Sequence, residues 1–182
     1  MRHLLPHFGE LPFHGGDRYM KHIVLIGMMG CGKSTCGKLL ADRLGRAFVD
    51  TDALIEARQG QSIPDIFANH GEAFFRELEQ QAARELAGQE NLVIACGGGL
   101  PTVDAAMEPL AKSGFVVFLE RPPEDILAHV SMDGRPLGQE GEAAFLARYA
   151  RREPIYRRWA DLTVASQATP QETVDLIMEG IL

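Results

Sequence analysis

The feature that most restricts this chain lies between residues 27 and 35, Gly27-Met28-Met29-Gly30-Cys31-Gly32-Lys33-Ser34-Thr35. An unbroken apolar run, Ile23 to Ile26, precedes it, and Lys33–Leu44, patterned as a helix, follows. The pattern Gly-x-x-x-x-Gly-Lys-Ser/Thr is the Walker A phosphate loop, and a strand before it with a helix after it is the context its mechanism requires. Glycines let the backbone curl so that successive N–H groups point at phosphate oxygens, and the helix adds its positive end. Lys33 then supplies a mobile charge for the β- and γ-phosphates, and Ser34 a hydroxyl for Mg²⁺. An ordinary glycine-rich turn is the competing reading, and the flanking strand and helix weigh against it. Gly30, Cys31, Gly32, Lys33, Ser34 and Thr35 are therefore the expected nucleotide-binding residues.

The rest of the chain supplies a sheet for such a loop. Strands are expected at His22–Gly27, Ala47–Asp50, Leu92–Cys96, Phe115–Glu120 and Leu162–Ala165. Helical patterns fill Lys33–Leu44, Ala53–Ala87 with breaks near Gly60 and Gly71, Val103–Lys112, Pro122–Val130, Glu142–Trp159 and Gln171–Met178. Alternation of this kind predicts the α/β class, a mainly parallel sheet with helices on both faces. Ligands of such sheets bind beyond the carboxyl ends of the strands, so the residues just after each strand are the ones to examine. Ser131–Gly141 has glycines, a proline and no periodicity, and reads as a mobile loop. Residues 1–20 carry Pro6, Pro12 and Gly15-Gly16 without an apolar pattern, so they read as a flexible tail. A chain starting at Met20 is expected to fold and work alike. Residues 21–182 then form a single domain, long enough to bury a core without staples.

Composition narrows the class. No apolar run approaches a membrane span and no signal-peptide core is present, so a cytoplasmic location is expected. A net charge of −7 weighs against nucleic acid as a partner. Cys31, Cys36 and Cys96 form no CxxC pair and are expected to be buried thiols without a metal role. Arg148, Arg151, Arg152, Arg157 and Arg158 crowd one segment. Most of that cluster reads as a solvated helix face, although clustered arginine on an acidic protein also marks a pocket for a small anion.

The second strand ends in Asp50-Thr51-Asp52. Alternate residues of an extended segment point the same way, so both carboxylates are expected to face the phosphate loop. One can hold Mg²⁺ through water while the other accepts a hydroxyl proton. A helix N-cap is the competing role, more for Asp52 than for both. No Asn-Lys-x-Asp motif is present, which weakens a switch GTPase, and no apolar strand ends in Asp-Glu, as in many motor ATPases.

Phosphate loop, Asp50-Thr51-Asp52, Phe75-Arg76-Glu77-Leu78-Glu79, Cys96-Gly97-Gly98-Gly99, Arg135-Pro136-Leu137 and Arg152 with Tyr156: this ordered set resembles the shikimate kinases over nearly all of residues 22–182. The resemblance implies a five-stranded parallel sheet of the nucleoside-monophosphate-kinase type, with a lid over about 131–141 and a substrate-binding helical region. It implies transfer of the terminal phosphoryl group of ATP, with Mg²⁺, to the 3-hydroxyl of shikimate, in the pathway to aromatic amino acids. Asp52 is then the residue that hydrogen-bonds the attacking hydroxyl, and Asp50 the water-mediated Mg²⁺ partner beside Ser34. Arg76 and Arg152 grip the substrate carboxylate, which a planar guanidinium matches, and Glu79 orients Arg76. Phe75 walls the pocket or belongs to the core. Gly97, Gly98 and Gly99 permit close backbone approach and offer N–H donors to a polyol. Arg135 closes on the transferring phosphate as a clamp, and Gln167 lies in the adenine loop. A monomer is expected, with shikimate and ATP as its partners.

Three departures bear on adenine binding. The lid is slightly short and reads Arg135-Pro136-Leu137-Gly138 where a second leucine is usual. His129 takes a place where an adenine-stacking arginine is common, and Ser166-Gln167 matches the adenine loop only loosely. Two rivals stand beside the leading expectation. One is another small-metabolite kinase of this fold, such as a gluconate kinase; the other is a non-catalytic nucleotide-binding module that uses its lid as a partner switch. Lys33, Ser34, Asp50, Asp52 and Arg135 together speak against the module, because a pure binder needs neither base nor clamp.

Overall fold

The five apolar runs pair into one wholly parallel sheet built from β1 (His22–Ile26), β2 (Ala47–Asp50), β3 (Leu92–Ala95), β4 (Gly114–Glu120) and β5 (Leu162–Ala165), ordered β2-β3-β1-β4-β5. The computed structural model describes residues 21–132 and 141–181. The expected tail, Arg135 and the interior of the expected lid lie outside the described residues. Seven helices connect or flank the strands within them: α1 (Lys33–Leu44), α2 (Thr51–Gln59), α3 (Ile63–Ala87), α4 (Asp104–Ser113), α5 (Pro123–Met132), α6 (Gly141–Trp159) and α7 (Pro170–Ile181).

Side chains alternate across the strands, so each face of the sheet acquires its own core. Ile23, Leu25, Val93, Val117 and Leu119 pack with α1 and α7 residues such as Leu40, Val174 and Ile177. Val24, Ile26, Ile94, Val116 and Phe118 pack on the other face with Leu86, Met107, Leu110, Phe145 and Tyr156 from α3, α4 and α6. Both layers are almost fully buried, and each such aliphatic side chain contributes about 1.5–3 kcal/mol relative to exposure. Among the described residues no helix is long and apolar enough to cross a membrane.

Helix boundaries follow local chemistry. Asp50 leaves β2 in extended backbone, and its side chain accepts from the N–H groups of Asp52 and Ala53, capping α2. Gly60, at φ 62°, stops α2, and Gly71, at φ 84° and ψ 170°, kinks α3, both where breaks were expected. One expectation is corrected. Ser131 and Met132 continue α5 and Gly141 opens α6, so the segment read as loop is shorter at both ends. Backbone hydrogen bonding runs a residue or two past the point where apolar periodicity fades.

Strands β1 and β3 are neighbours in the middle of the sheet, with Leu25 opposite Ala95. The first N–H beyond β3, on Cys96, donates to the Leu25 carbonyl at 3.0 Å. This register delivers the phosphate loop and the Gly97–Gly99 turn side by side at the carboxyl edge of the sheet.

Candidate active site

A cleft of about 530 Å³ runs along that edge, from Gln167 and Pro170 past the phosphate loop to Asp52, Gly97 and Gly98. The loop needs its glycines. Gly30 and Gly32 are left-handed, at φ 81° and 95°. A Cβ on Gly27 would come within 2.6 Å of the Leu119 carbonyl oxygen. Lys33 is buried under the curl, and its Nζ donates to the Gly27 and Met28 carbonyls at 2.8 and 2.9 Å, with Cys31 Sγ at 3.7 Å. The Cys31 N–H donates back to the Met28 carbonyl at 3.2 Å, closing a turn within the loop. The Cys31 carbonyl instead receives the Ser166 hydroxyl at 3.0 Å. Ser34 and Thr35 stand exposed on the first turn of α1.

Helix α2 begins at Thr51, so the Asp-Thr-Asp segment is not extended throughout, yet Asp50 and Asp52 both line the cleft beside the phosphate loop. Asp50, not Asp52, is the helix cap. Its Oδ1 takes the Asp52 and Ala53 N–H groups at 3.0 and 3.1 Å, while its Oδ2 receives the Ser34 hydroxyl at 2.7 Å. Asp52 turns toward the glycine turn. Burial raises its pKa to about 6, helped by the charges of Asp50 and Glu56 and opposed by Lys33 and Arg76.

The glycine turn and the two arginines meet. A Cβ on Gly97 would lie 2.3 Å from Asp52 Oδ1, one on Gly98 3.3 Å from the Arg152 guanidinium, and one on Gly99 2.5 Å from the Arg76 guanidinium. Each missing side chain thus makes room for one functional group. The N–H of Gly97 is already committed, donating to Thr51 Oγ1 at 2.9 Å, so its expected role as a donor to a polyol is corrected to one of space. Arg76 is held by Glu79 at 2.6 Å and Glu72 at 3.2 Å. Burial opposes its charge, and the two glutamates outweigh burial and raise its pKa. Glu79 itself is buried, with Oε1 lacking a hydrogen-bond partner among the described residues, and burial lifts it to about 7 against the pull of Arg76. Arg152 is the contrary case. Burial lowers its pKa, with Arg148 and Arg76 adding to that effect and Tyr156 opposing it. A guanidinium pressed this way gains from an anion. Phe75 belongs to the core, packed with Ile55, Ile66 and Ala82, while its ring lies 5.5 Å from the Arg76 guanidinium.

At the far end of the cleft, Arg121, exposed His129, Gln167 and Pro170 line the wall. Gln167 spends its Nε2 on the Ala165 carbonyl at 2.7 Å and its N–H on Thr173 Oγ1 at 2.9 Å. Arg121 donates to the Gly30 carbonyl at 3.3 Å. Arg121 was not singled out from sequence, yet it directly follows β4, and inspecting the residue after each strand would have found it. Thr51 had no role assigned, and neither did the Tyr156 hydroxyl, which donates to the Gly98 carbonyl at 2.6 Å. The three cysteines are buried as expected, and burial pushes the Cys36 thiol up to about 11 and raises Cys96 as well.

The family described as shikimate kinase matches residues 29–182. A shikimate kinase from Clostridium botulinum strain Eklund 17B is 36% identical over 160 residues, which cover 88% of this chain and 96% of that protein. The structure of a shikimate kinase from Acinetobacter baumannii in complex with shikimate superposes with a TM-score of 0.80 at 37% identity, covering 88% of this chain and 94% of that one. A gluconokinase from Sinorhizobium meliloti 1021 aligns with a TM-score of 0.58 at 17% identity over 91% and 93% of the two chains, a likeness of fold alone.

Proposed function

The chain belongs to the shikimate kinase family, and from that premise we infer how its cleft performs ATP-dependent phosphorylation of shikimate. The substrate carboxylate is held by Arg152 and Arg76, whose planar forks match it. That grip presents the 3-hydroxyl to Asp52. The hydroxyl oxygen bonds to the γ-phosphorus, the bond from that phosphorus to the bridging oxygen of ADP breaks, and the hydroxyl proton passes to Asp52. A carboxylate raised to about 6 is ionised near neutrality and still basic enough to accept it. Lys33, gathered under the loop with two carbonyl acceptors, exchanges one of them for a phosphate oxygen and stabilises the charge that migrates there. Arg135, outside the described residues, is the proposed clamp from the lid side.

The donors for Mg²⁺ are Ser34 Oγ and Asp50 Oδ2, 2.7 Å apart. Mg²⁺ prefers hard oxygen donors and keeps several waters, which fits one hydroxyl and one water-bridged carboxylate. Among the described residues no group of three or more His, Cys, Asp or Glu could cage a metal. When bound, the ion neutralises charge on the β- and γ-phosphates. Action as a cytoplasmic monomer, without nucleic acid or membrane, belongs to the same proposal. The charge of −7 weighs against nucleic acid.

One observation carries the acceptor assignment: three consecutive glycines whose absent side chains make room for Asp52, Arg152 and Arg76 beside the phosphate loop. The test is ADP release with Mg²⁺ and ATP. It should rise in proportion to added shikimate and not respond to gluconate. Release that ignores shikimate and follows gluconate would overturn the substrate.

A further inference from the structure

Hydroxyl side chains bond to one backbone group of each glycine in the turn. Thr51 Oγ1 accepts the Gly97 N–H at 2.9 Å, Tyr156 donates to the Gly98 carbonyl at 2.6 Å, and Thr102 Oγ1 donates to the Gly99 carbonyl at 2.6 Å. The Thr102 contact is local, three residues along the chain, and duplicates the Thr102 N–H bond to the same carbonyl. The other two bridge segments 46 and 58 residues apart, and both side chains are buried.

Each bridging hydroxyl shares an element with a side chain that meets the turn. Thr51 adjoins Asp52 at the start of α2. Tyr156 lies one helical turn beyond Arg152 on α6, on the same face. The turn packs against those same neighbours, Gly97 against Asp52 and Gly98 against Arg152. It is therefore tied to α2 and α6 at the points where these helices present their functional groups. The hydroxyls are not needed to fill space, since valine or phenylalanine would occupy nearly the same volume. What they add is direction, because a hydrogen bond fixes geometry where apolar packing tolerates sliding.

We propose that Thr51 and Tyr156 are positioning residues whose hydroxyls lock the glycine turn to α2 and α6, making it the common reference that sets Asp52 relative to Arg152. The proposal rests on the roles given to Asp52 and Arg152 above. Thr51 governs the base and Tyr156 the carboxylate grip, so the two should fail differently.

Thr51→Val, Thr51→Ser and Tyr156→Phe test it in the full-length protein. A buried N–H left without a partner costs enough to misplace its neighbour. Thr51→Val should therefore lower kcat about tenfold, with Thr51→Ser within about threefold of the parent. Tyr156→Phe should raise the KM for shikimate about tenfold and leave kcat within about threefold. The KM for ATP should stay within about twofold in all three. A second readout needs no substrate: the Gly97 amide, followed by ¹⁵N NMR in the free protein. Its resonance should move and its hydrogen exchange quicken in Thr51→Val, and both should stay close to the parent in Thr51→Ser. The proposal is overturned if the variants lose only thermal stability, with kcat, shikimate KM and the Gly97 amide all unchanged. It is overturned equally if Thr51→Ser is as impaired as Thr51→Val. Should the parent show no shikimate-dependent turnover, the functional reading falls, and the Gly97 amide still decides whether Thr51 holds the turn. Tyr156→Phe removes one oxygen from a packed ring and carries the test if Thr51→Val does not fold.

Discussion

The proposed nucleotide half and the proposed acceptor half of the cleft are built on opposite plans. The phosphate loop is one stretch of nine residues whose curl, left-handed glycines and buried lysine are set by neighbours in sequence. The acceptor half draws Asp52 from α2, Arg76 from α3 and Arg152 from α6, and brings them together on a turn that follows β3. Backbone groups do much of the work in the first half, and long side chains do most of it in the second. A local backbone site is robust and generic, and serves many phosphate chemistries. A convergent side-chain site selects one acceptor and is sensitive to small displacements.

Removing the reacting groups should break each half most completely. Asp52→Asn should cost roughly 10²–10⁴ in kcat, and Lys33→Ala about 10²–10³, both in folded protein. The pH dependence sharpens the contrast. Asp52 is raised to about 6 and Glu79 to about 7, so the native state binds their protons more tightly than the unfolded chain. Their contribution to stability is fully present below the ordinary carboxylate range and is lost as pH rises through about 6 to 7. Activity runs the other way, rising through about pH 6 as Asp52 ionises. At pH 8, Asp52→Asn should therefore melt no lower than the parent; a clearly lower Tm would refute the burial-driven shift.

Displacing a group without deleting it comes next. Gly97→Ala drives a methyl toward the Asp52 carboxylate and should lower kcat by up to about 10²-fold with little change in the KM for ATP. An intact kcat would mean that Asp52 acts from elsewhere. Arg76→Ala and Arg152→Ala should each raise the shikimate KM about ten- to a hundredfold, one charge-assisted hydrogen bond's worth. Calorimetric melting separates the pair. Arg76→Ala strands buried Glu79 and should lower Tm, whereas Arg152→Ala removes a charge that burial disfavours and should leave Tm unchanged or higher. The mildest change is Gly98→Ala, whose methyl would meet Arg152 at 3.3 Å, a contact that a small side-chain shift relieves. About threefold in kcat/KM is expected.

The same division explains what could be read from the sequence. Sheet, helix order and phosphate loop were legible because each depends on local spacing. The pairing of Arg76 with Arg152 was reached only through resemblance to a family, since no periodicity connects them, whereas Asp52 was reached from the strand end it follows. Errors arose where a local rule met a tertiary one. Alternation treated Asp50-Thr51-Asp52 as extended, but Asp50 caps α2 and the chain turns helical after it, with both carboxylates still lining the cleft. The glycine triplet suggested N–H donors, whereas the Gly97 N–H is taken by Thr51 and the three absent side chains leave room for Asp52, Arg152 and Arg76. Thr51 and Tyr156 were invisible as positioning candidates because a hydroxyl declares its partner only in three dimensions.

Arg152 and the substrate carboxylate can be removed separately and together. In a coupled ADP assay, the parent protein and Arg152→Ala are each given shikimate and an analogue lacking the carboxylate. For the parent, the analogue should be poorer in kcat/KM by about 10²- to 10⁴-fold, the worth of one charge-assisted contact from each arginine. For Arg152→Ala, that preference should shrink to about ten- to a hundredfold, the share that Arg76 keeps, with the KM for ATP close to that of the parent. An undiminished preference for the carboxylate in Arg152→Ala, or a loss confined to ATP, would contradict the assignment of that arginine to the acceptor half.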